Sequence, residues 1–224
     1  MTQSDFIGID LTSSAKKPSA CVGLDKHLSL AFIGFLSADA DLVALVSSQP
    51  SCLAAIDAPL TLPKGLCCLE ESRLDSLSCS CQPEQEKGRE CERELARQGI
   101  PCYFTTKRSI IKNMVYRGIK LRKELENRGY QVIEVYPYAS KVRLWGKPIP
   151  SKSKPGGLAF LQAKLTSLVP CLASYMADFS HDLCDAAIAA YTAYLHYGNK
   201  TEQIGNFEDG VIYIPKHPVR HPLS

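Results

Sequence analysis

Five acidic residues stand where the surrounding apolar pattern makes a carboxylate conspicuous. Asp10 closes the run Phe6-Ile7-Gly8-Ile9, and Asp57 closes Cys52-Leu53-Ala54-Ala55-Ile56 ahead of Ala58-Pro59; both runs read as short buried strands that end in an acid. Glu134 interrupts the apolar run Val132–Tyr136, where an ionised side chain is costly unless it is paired, protonated or bound to metal. Asp182 and Asp185 lie one turn apart at the start of an Ala-rich stretch. Each acid has an ordinary alternative, since a strand-end Asp also serves as a turn or capping residue and Asp182 suits a helix N-terminus. If the strands of Asp10 and Asp57 are neighbours, both side chains emerge at one edge of a sheet, where α/β sites form. Hard oxygen donors without a matching set of histidines suit Mg2+ or Mn2+, with Asp10, Asp57, Asp182 and Asp185 as ligands and Glu134 as a ligand or water-orienting base. Two such ions activate water and stabilise a leaving oxygen, so phosphodiester hydrolysis by Asp10, Asp57, Glu134 and Asp185 needs no separate nucleophilic side chain.

Positioning these acids requires a particular order of elements. After the first strand, Ser19–Leu24 and Leu28–Leu36 read as two more, joined by the tight link Asp25-Lys26-His27. Ala38–Val46 reads as a helix with Ser37 as N-cap, followed by the strand Cys52–Asp57. Three strands, a helix and a strand open an RNase H-like sheet. Residues 60–102 break the pattern with six cysteines and no sustained periodicity, and read as an insertion. Beyond it come a helix over Lys107–Arg128, the strand Val132–Tyr136, helices over Leu158–Leu168 and Asp182–Tyr197, a last strand Val211–Ile214 and an irregular end. The expected fold is α/β: an RNase H-like mixed sheet flanked by helices, its core formed by residues 1–59 and 103–224, with a cysteine-rich insertion.

At these same residues the chain resembles domain-of-unknown-function family 429, a group of predicted RNase H-fold nucleases. The resemblance runs through Gly8-Ile9-Asp10, Ala55-Ile56-Asp57-Ala58-Pro59, Arg89 to Arg93, Glu134-Val135-Tyr136-Pro137, Ser151-Lys152 before Gly156-Gly157, and Asp182-Leu183-Cys184-Asp185-Ala186. It implies a metal-dependent, nuclease-like site at Asp10, Asp57, Glu134 and Asp185. Where relatives often carry an acid after the Pro137-containing motif, this chain has Tyr138, so a role for that acid does not transfer.

Around the acids, Lys107 opens the expected helix, on which Arg108, Lys112, Lys120 and Lys123 fall on one side, opposite Ile110, Met114, Leu121 and Leu125. That face either is simply solvated or holds nucleic-acid phosphates, with Lys141 extending it and Tyr103 and Phe104 among the aromatics available for stacking. Cys67, Cys68, Cys79, Cys81, Cys91 and Cys102 concentrate in a segment poor in apolar residues, which a structural Zn2+ or an iron–sulfur cluster would hold together, although no paired Cys-x-x-Cys spacing occurs.

With 224 residues and 45% hydrophobic content the chain is large and apolar enough for a sizeable core, and its net charge of +3 permits a nucleic-acid partner without requiring one. No run approaches the ~18 apolar residues of a membrane span and no secretory pattern opens the chain, so a cytoplasmic, non-membrane protein is expected. Two other functions fit less of the pattern. One is a non-catalytic nucleic-acid-binding or scaffold protein using the cysteine lobe. The other is an actin-like kinase, for whose two domains the chain is short.

Overall fold

The computed structural model describes residues 3–14, 16–71, 81–82 and 86–217. Its centre is a seven-stranded mixed sheet. Strands β1 (Phe6–Asp10), β2 (Ser19–Leu24) and β3 (Leu30–Leu36) form an antiparallel meander, and helix α1 (Asp39–Ser47) leads into β4 (Leu53–Asp57), parallel to β1. Then follow α2 (Glu90–Arg97), α3 (Lys112–Asn127), β5 (Gln131–Val135), α4 (Pro137–Trp145) and α5 (Gly157–Leu168). A 3-10 helix, Pro170–Asp178, precedes α6 (His181–Tyr197), and the hairpin β6 (Thr201–Asn206) and β7 (Gly210–Pro215) closes the sheet. The strand order β3-β2-β1-β4-β5-β7-β6, with β2 antiparallel to β1 and with β4 and β5 parallel, is the RNase H-like arrangement extended by a hairpin.

One face of the sheet is covered by α6. Its alanines at 186, 187, 189, 190 and 193 are fully buried, and they let the helix settle directly on β1. At Gly8 there is no room for a side chain: a Cβ there would lie 2.0 Å from the Ala186 carbonyl oxygen and 2.3 Å from the Ala190 nitrogen. This close approach sets the height of Asp185 over the end of β1. On the other face Ile7, Ile9, Ile56, Leu121 and Leu125 join α1 and α3 in a second apolar layer. No helix among the described residues is long and apolar enough to cross a membrane.

Several elements differ from expectation for local reasons. The helix anticipated from Lys107 begins at Lys112, because residues 106–111 form turns in which Thr106 and Ser109 carbonyls accept from Ser109 and Lys112 and the Ser109 hydroxyl accepts from Ile111. Ile110, expected on a core face, is 81% exposed. Ser37 does not cap α1; Ala38 occupies that position, without a side-chain bond. Helices α2 and α4 and strand β6 were not anticipated. Helix α2 is short and strongly charged, yet Cys91 and Leu95 pack with Ile100, Ile204, Ile212 and Ile214, and the buried Asp209 accepts from the Glu90 N–H at its start.

Candidate active site

The register of the central strands sorts the acids. Asp10 pairs with Asp57 across parallel β1 and β4, and Gly8, two residues earlier, lies against α6, so both carboxylates project on the α6 face. From the second turn of α6, Asp185 meets them. The Ser180 hydroxyl caps this helix by accepting from Leu183, which leaves Asp182 exposed and Asp185 buried. Glu134 is excluded by the same geometry. It pairs with Ile56 rather than Asp57, and a one-residue offset along a strand turns a side chain to the opposite face.

Two lysines share the site. Lys141 Nζ from α4 lies 2.6 Å from Asp185 Oδ1, and Lys152 Nζ lies 2.8 Å from Asp185 Oδ2 and 3.6 Å from Asp182 Oδ1. Lys141 is buried, so this residue, expected to extend a phosphate-binding surface, instead faces a carboxylate. Lys152 stays half-exposed. Close as Lys141 is, Asp185 Oδ1 has no aligned hydrogen-bond donor. Burial, followed by repulsion from Asp185, raises Asp10 from 3.8 to about 7. Burial and then the charges of Asp10 and Asp185 hold Asp57 well above the usual carboxylate range. The partly protonated, mutually repelling state shows a deficit of positive charge that the two ammonium groups do not remove.

Glu134 has the opposite environment. Its oxygens accept from Arg89 Nη1 (2.8 Å), Arg89 Nη2 (2.6 Å) and the Leu60 N–H (2.8 Å). Arg89 Nε also binds Glu92 (2.9 Å), and Glu92 in turn accepts from the Thr105 N–H and hydroxyl. All three ionic side chains are at most 5% exposed. Although burial opposes its charge, attraction to Glu134 holds the Arg89 guanidinium firmly protonated. Both oxygens of Glu134 are thus engaged by donors, two on Oε2 and one on Oε1.

The basic residues also separate. Lys107 and Arg108 line an open cleft with Lys87, Tyr103 and Phe104, and Arg108 pairs with Glu71 at 3.0 Å. This cleft shares Cys102 and Tyr103 with a smaller cavity that reaches Asp57. Lys112 pairs with Glu70 (2.8 Å), whereas Lys120 lines a separate depression between α1 and α3 and Lys123 is exposed farther along the helix. Among the cysteines, Cys67, Cys68 and Cys81 come together, while Cys91 is buried on the core side of α2 and Cys102 is placed against the Glu92 carbonyl. Cys79 lies outside the described residues.

Residue patterns alone missed Arg89, Glu92 and the two lysines as members of these clusters. The Arg89–Arg93 and Ser151-Lys152 motifs were visible, but pairing them with particular acids needed contacts 45 and 33 residues away in sequence.

The profile of the family described as "Protein of unknown function (DUF429)" matches residues 8–207. No curated protein is similar in sequence. Among solved structures, one described as "Thermus thermophilus RuvC structure" aligns at 12% identity over 86% of this chain and 95% of that chain, with a TM-score of 0.43.

Proposed function

Because the chain belongs to the DUF429 family and folds as an RNase H-like domain, we propose that it is a divalent-metal-dependent nuclease acting at Asp10, Asp57 and Asp185. The observation that carries this reading is the desolvated, mutually repelling pair Asp10 and Asp57, raised in pKa beside an Asp185 oxygen without an aligned donor. A hard divalent cation suits that donor set. The three carboxylates do not all converge within 4.8 Å, since among the described residues only the cysteine trio does, and Lys141 and Lys152 are both drawn to Asp185, which leaves Asp10 and Asp57 as the pair for an ion. Asp10 and Asp57 would hold the ion, with Asp185 beside it.

When bound, the cation would supply Lewis-acid charge to the scissile phosphate. Lys152, half-exposed above Asp185, offers its ammonium to a phosphate oxygen as negative charge develops there. Lys141 holds Asp185 in place from below. The cleft carrying Tyr103, Lys87, Lys107 and Arg108 leads nucleic acid toward Asp57 by backbone charge and stacking, without reading sequence. Neither Glu134 nor Asp182 has a catalytic part in this reading, the first consumed by Arg89 and the second exposed at the margin.

One observation favours a second reading. The two lysines neutralise much of Asp185's environment without any metal, as a non-catalytic nucleic-acid-binding protein would require. Mn2+ binding, together with cleavage of single-stranded, duplex and branched DNA and RNA, separates the two. Binding and cleavage that are both lost in Asp10→Asn with the fold intact support the nuclease. Salt-sensitive nucleic-acid binding unchanged by Asp10→Asn, with no cleavage in Mg2+ or Mn2+, overturns it.

A further inference from the structure

Away from the carboxylates, Cys67, Cys68 and Cys81 gather on the loop that follows β4, and all three sulfurs lie within 4.8 Å of one another. The Cys68–Cys81 separation is 3.8 Å and the Cys67–Cys81 separation 3.2 Å. Four sulfurs at ~2.3 Å around a tetrahedral zinc are about 3.8 Å apart, which is the Cys68–Cys81 spacing, and Cys67–Cys81 would need to open by about 0.6 Å to enclose an ion. We propose that Cys67, Cys68 and Cys81 bind a structural zinc ion that staples this loop to helix α3.

The backbone around the sulfurs is already arranged for that role. Gly65, at φ +84°, turns the chain so that its carbonyl accepts from the Gln82 N–H at 2.9 Å, which clamps the two cysteine-bearing segments side by side. The Cys67 N–H donates to Cys81 Sγ at 3.2 Å, which ties the two segments together at the sulfurs. Leu66 and Leu69 are buried against Val115 of α3, and the Leu69 N–H donates to the Tyr116 hydroxyl at 2.6 Å. A metal crosslink at the sulfurs would add to this small apolar cluster among the described residues and hold the loop on α3. The three thiolates supply most of the tetrahedral ligand set of a single zinc ion. Soft sulfur here and hard oxygen at Asp10 and Asp57 would select different ions. The staple does not depend on whether the carboxylates catalyse.

Full-length protein purified under reducing conditions in zinc-containing medium is expected to carry about one zinc per chain by elemental mass spectrometry. Replacement of that zinc by Co2+ should produce a thiolate-to-cobalt charge-transfer band. Cys67→Ser, Cys68→Ser and Cys81→Ser should each lose the zinc, while Asp10→Asn and Cys91→Ser keep it. Should the serine variants misfold, chelator-treated wild-type protein serves instead: hydrogen exchange should accelerate in residues 60–71 while the sheet stays protected. Sub-stoichiometric zinc in the reduced wild-type protein, zinc retained in Cys81→Ser, or a coloured iron-containing protein would each overturn the proposal.

Discussion

Two clusters of acids sit at the ends of adjoining strands, and they have opposite electrostatics. In one, Glu134 and Glu92 are bound by the fork of Arg89, by backbone N–H groups and by Thr105, and the charges are balanced by hydrogen bonds. In the other, Asp10, Asp57 and Asp185 face each other with two lysines that both approach Asp185, and protonation of Asp10 persists to about 7. The first is a joint: Arg89 and Glu92 fasten α2 and the segment entering α3 to β5 and the loop after β4. In the second, burial and mutual repulsion raise Asp10 and Asp57, and Asp185 Oδ1 has no aligned donor. Burial of a carboxylate therefore does not mark a catalytic group; what distinguishes the two is whether its oxygens are already used.

The sharpest way to break this comparison is Arg89→Ala. It strands two buried carboxylates against each other and is expected to destabilise by about 3–5 kcal/mol in urea unfolding. A change under about 1 kcal/mol would show that the joint is not structural. Glu134→Gln should also destabilise yet leave Mn2+ binding intact, which Asp10→Asn should not.

Next in size is a pH effect at Asp10. Its folded-state pKa of about 7 lies above the ordinary 3.8, so between these values the folded protein holds a proton that the unfolded chain has released. Asp10 should accordingly withdraw stability from the metal-free wild-type protein as pH rises from about 4 to about 7. Asp10→Asn removes this titration. Its stability relative to wild type should climb through the same window by on the order of 2–4 kcal/mol and then level off. Urea midpoints of both proteins at several pH values test this, and parallel curves would refute it. Added Mn2+ should close the gap at neutral pH.

Smaller effects probe the edges of the site. Lys141→Met should destabilise by about 1–2 kcal/mol, less than Arg89→Ala, because Lys152 remains to face Asp185. An effect as large as that of Arg89→Ala would mean the open cluster is a second joint. Tyr103→Ala, on a ring that is 66% exposed, should weaken single-stranded nucleic-acid binding by about 1 kcal/mol without altering stability, measured by fluorescence anisotropy and thermal unfolding.

Much of the fold was legible in the chain because the strands Phe6–Asp10 and Leu53–Asp57 and the helix His181–Tyr197 carry strong, regular apolar patterns. Helix α2 was not legible. Its sequence Glu-Cys-Glu-Arg-Glu-Leu-Ala-Arg is mostly charged, and its buried contacts lie on β6 and β7, more than 100 residues away. The acids Asp10, Asp57 and Asp185 were recoverable because each breaks or closes an apolar run. The same local signal does not separate Glu134, held by Arg89, from these acids, because it arises from any buried, satisfied acid.

Sequence alone determined that strand ends carry acids and that one helix is small-faced enough to pack tightly, since both are local consequences of side-chain size and polarity. Only the tertiary structure decided which acids share a face. That depends on the pairing of Glu134 with Ile56 instead of Asp57, and parallel register is set by packing between segments distant in sequence. It also decided that Arg89 saturates one acid while Lys141 and Lys152 only partly answer the others, because an ion pair depends on distances that no local pattern contains.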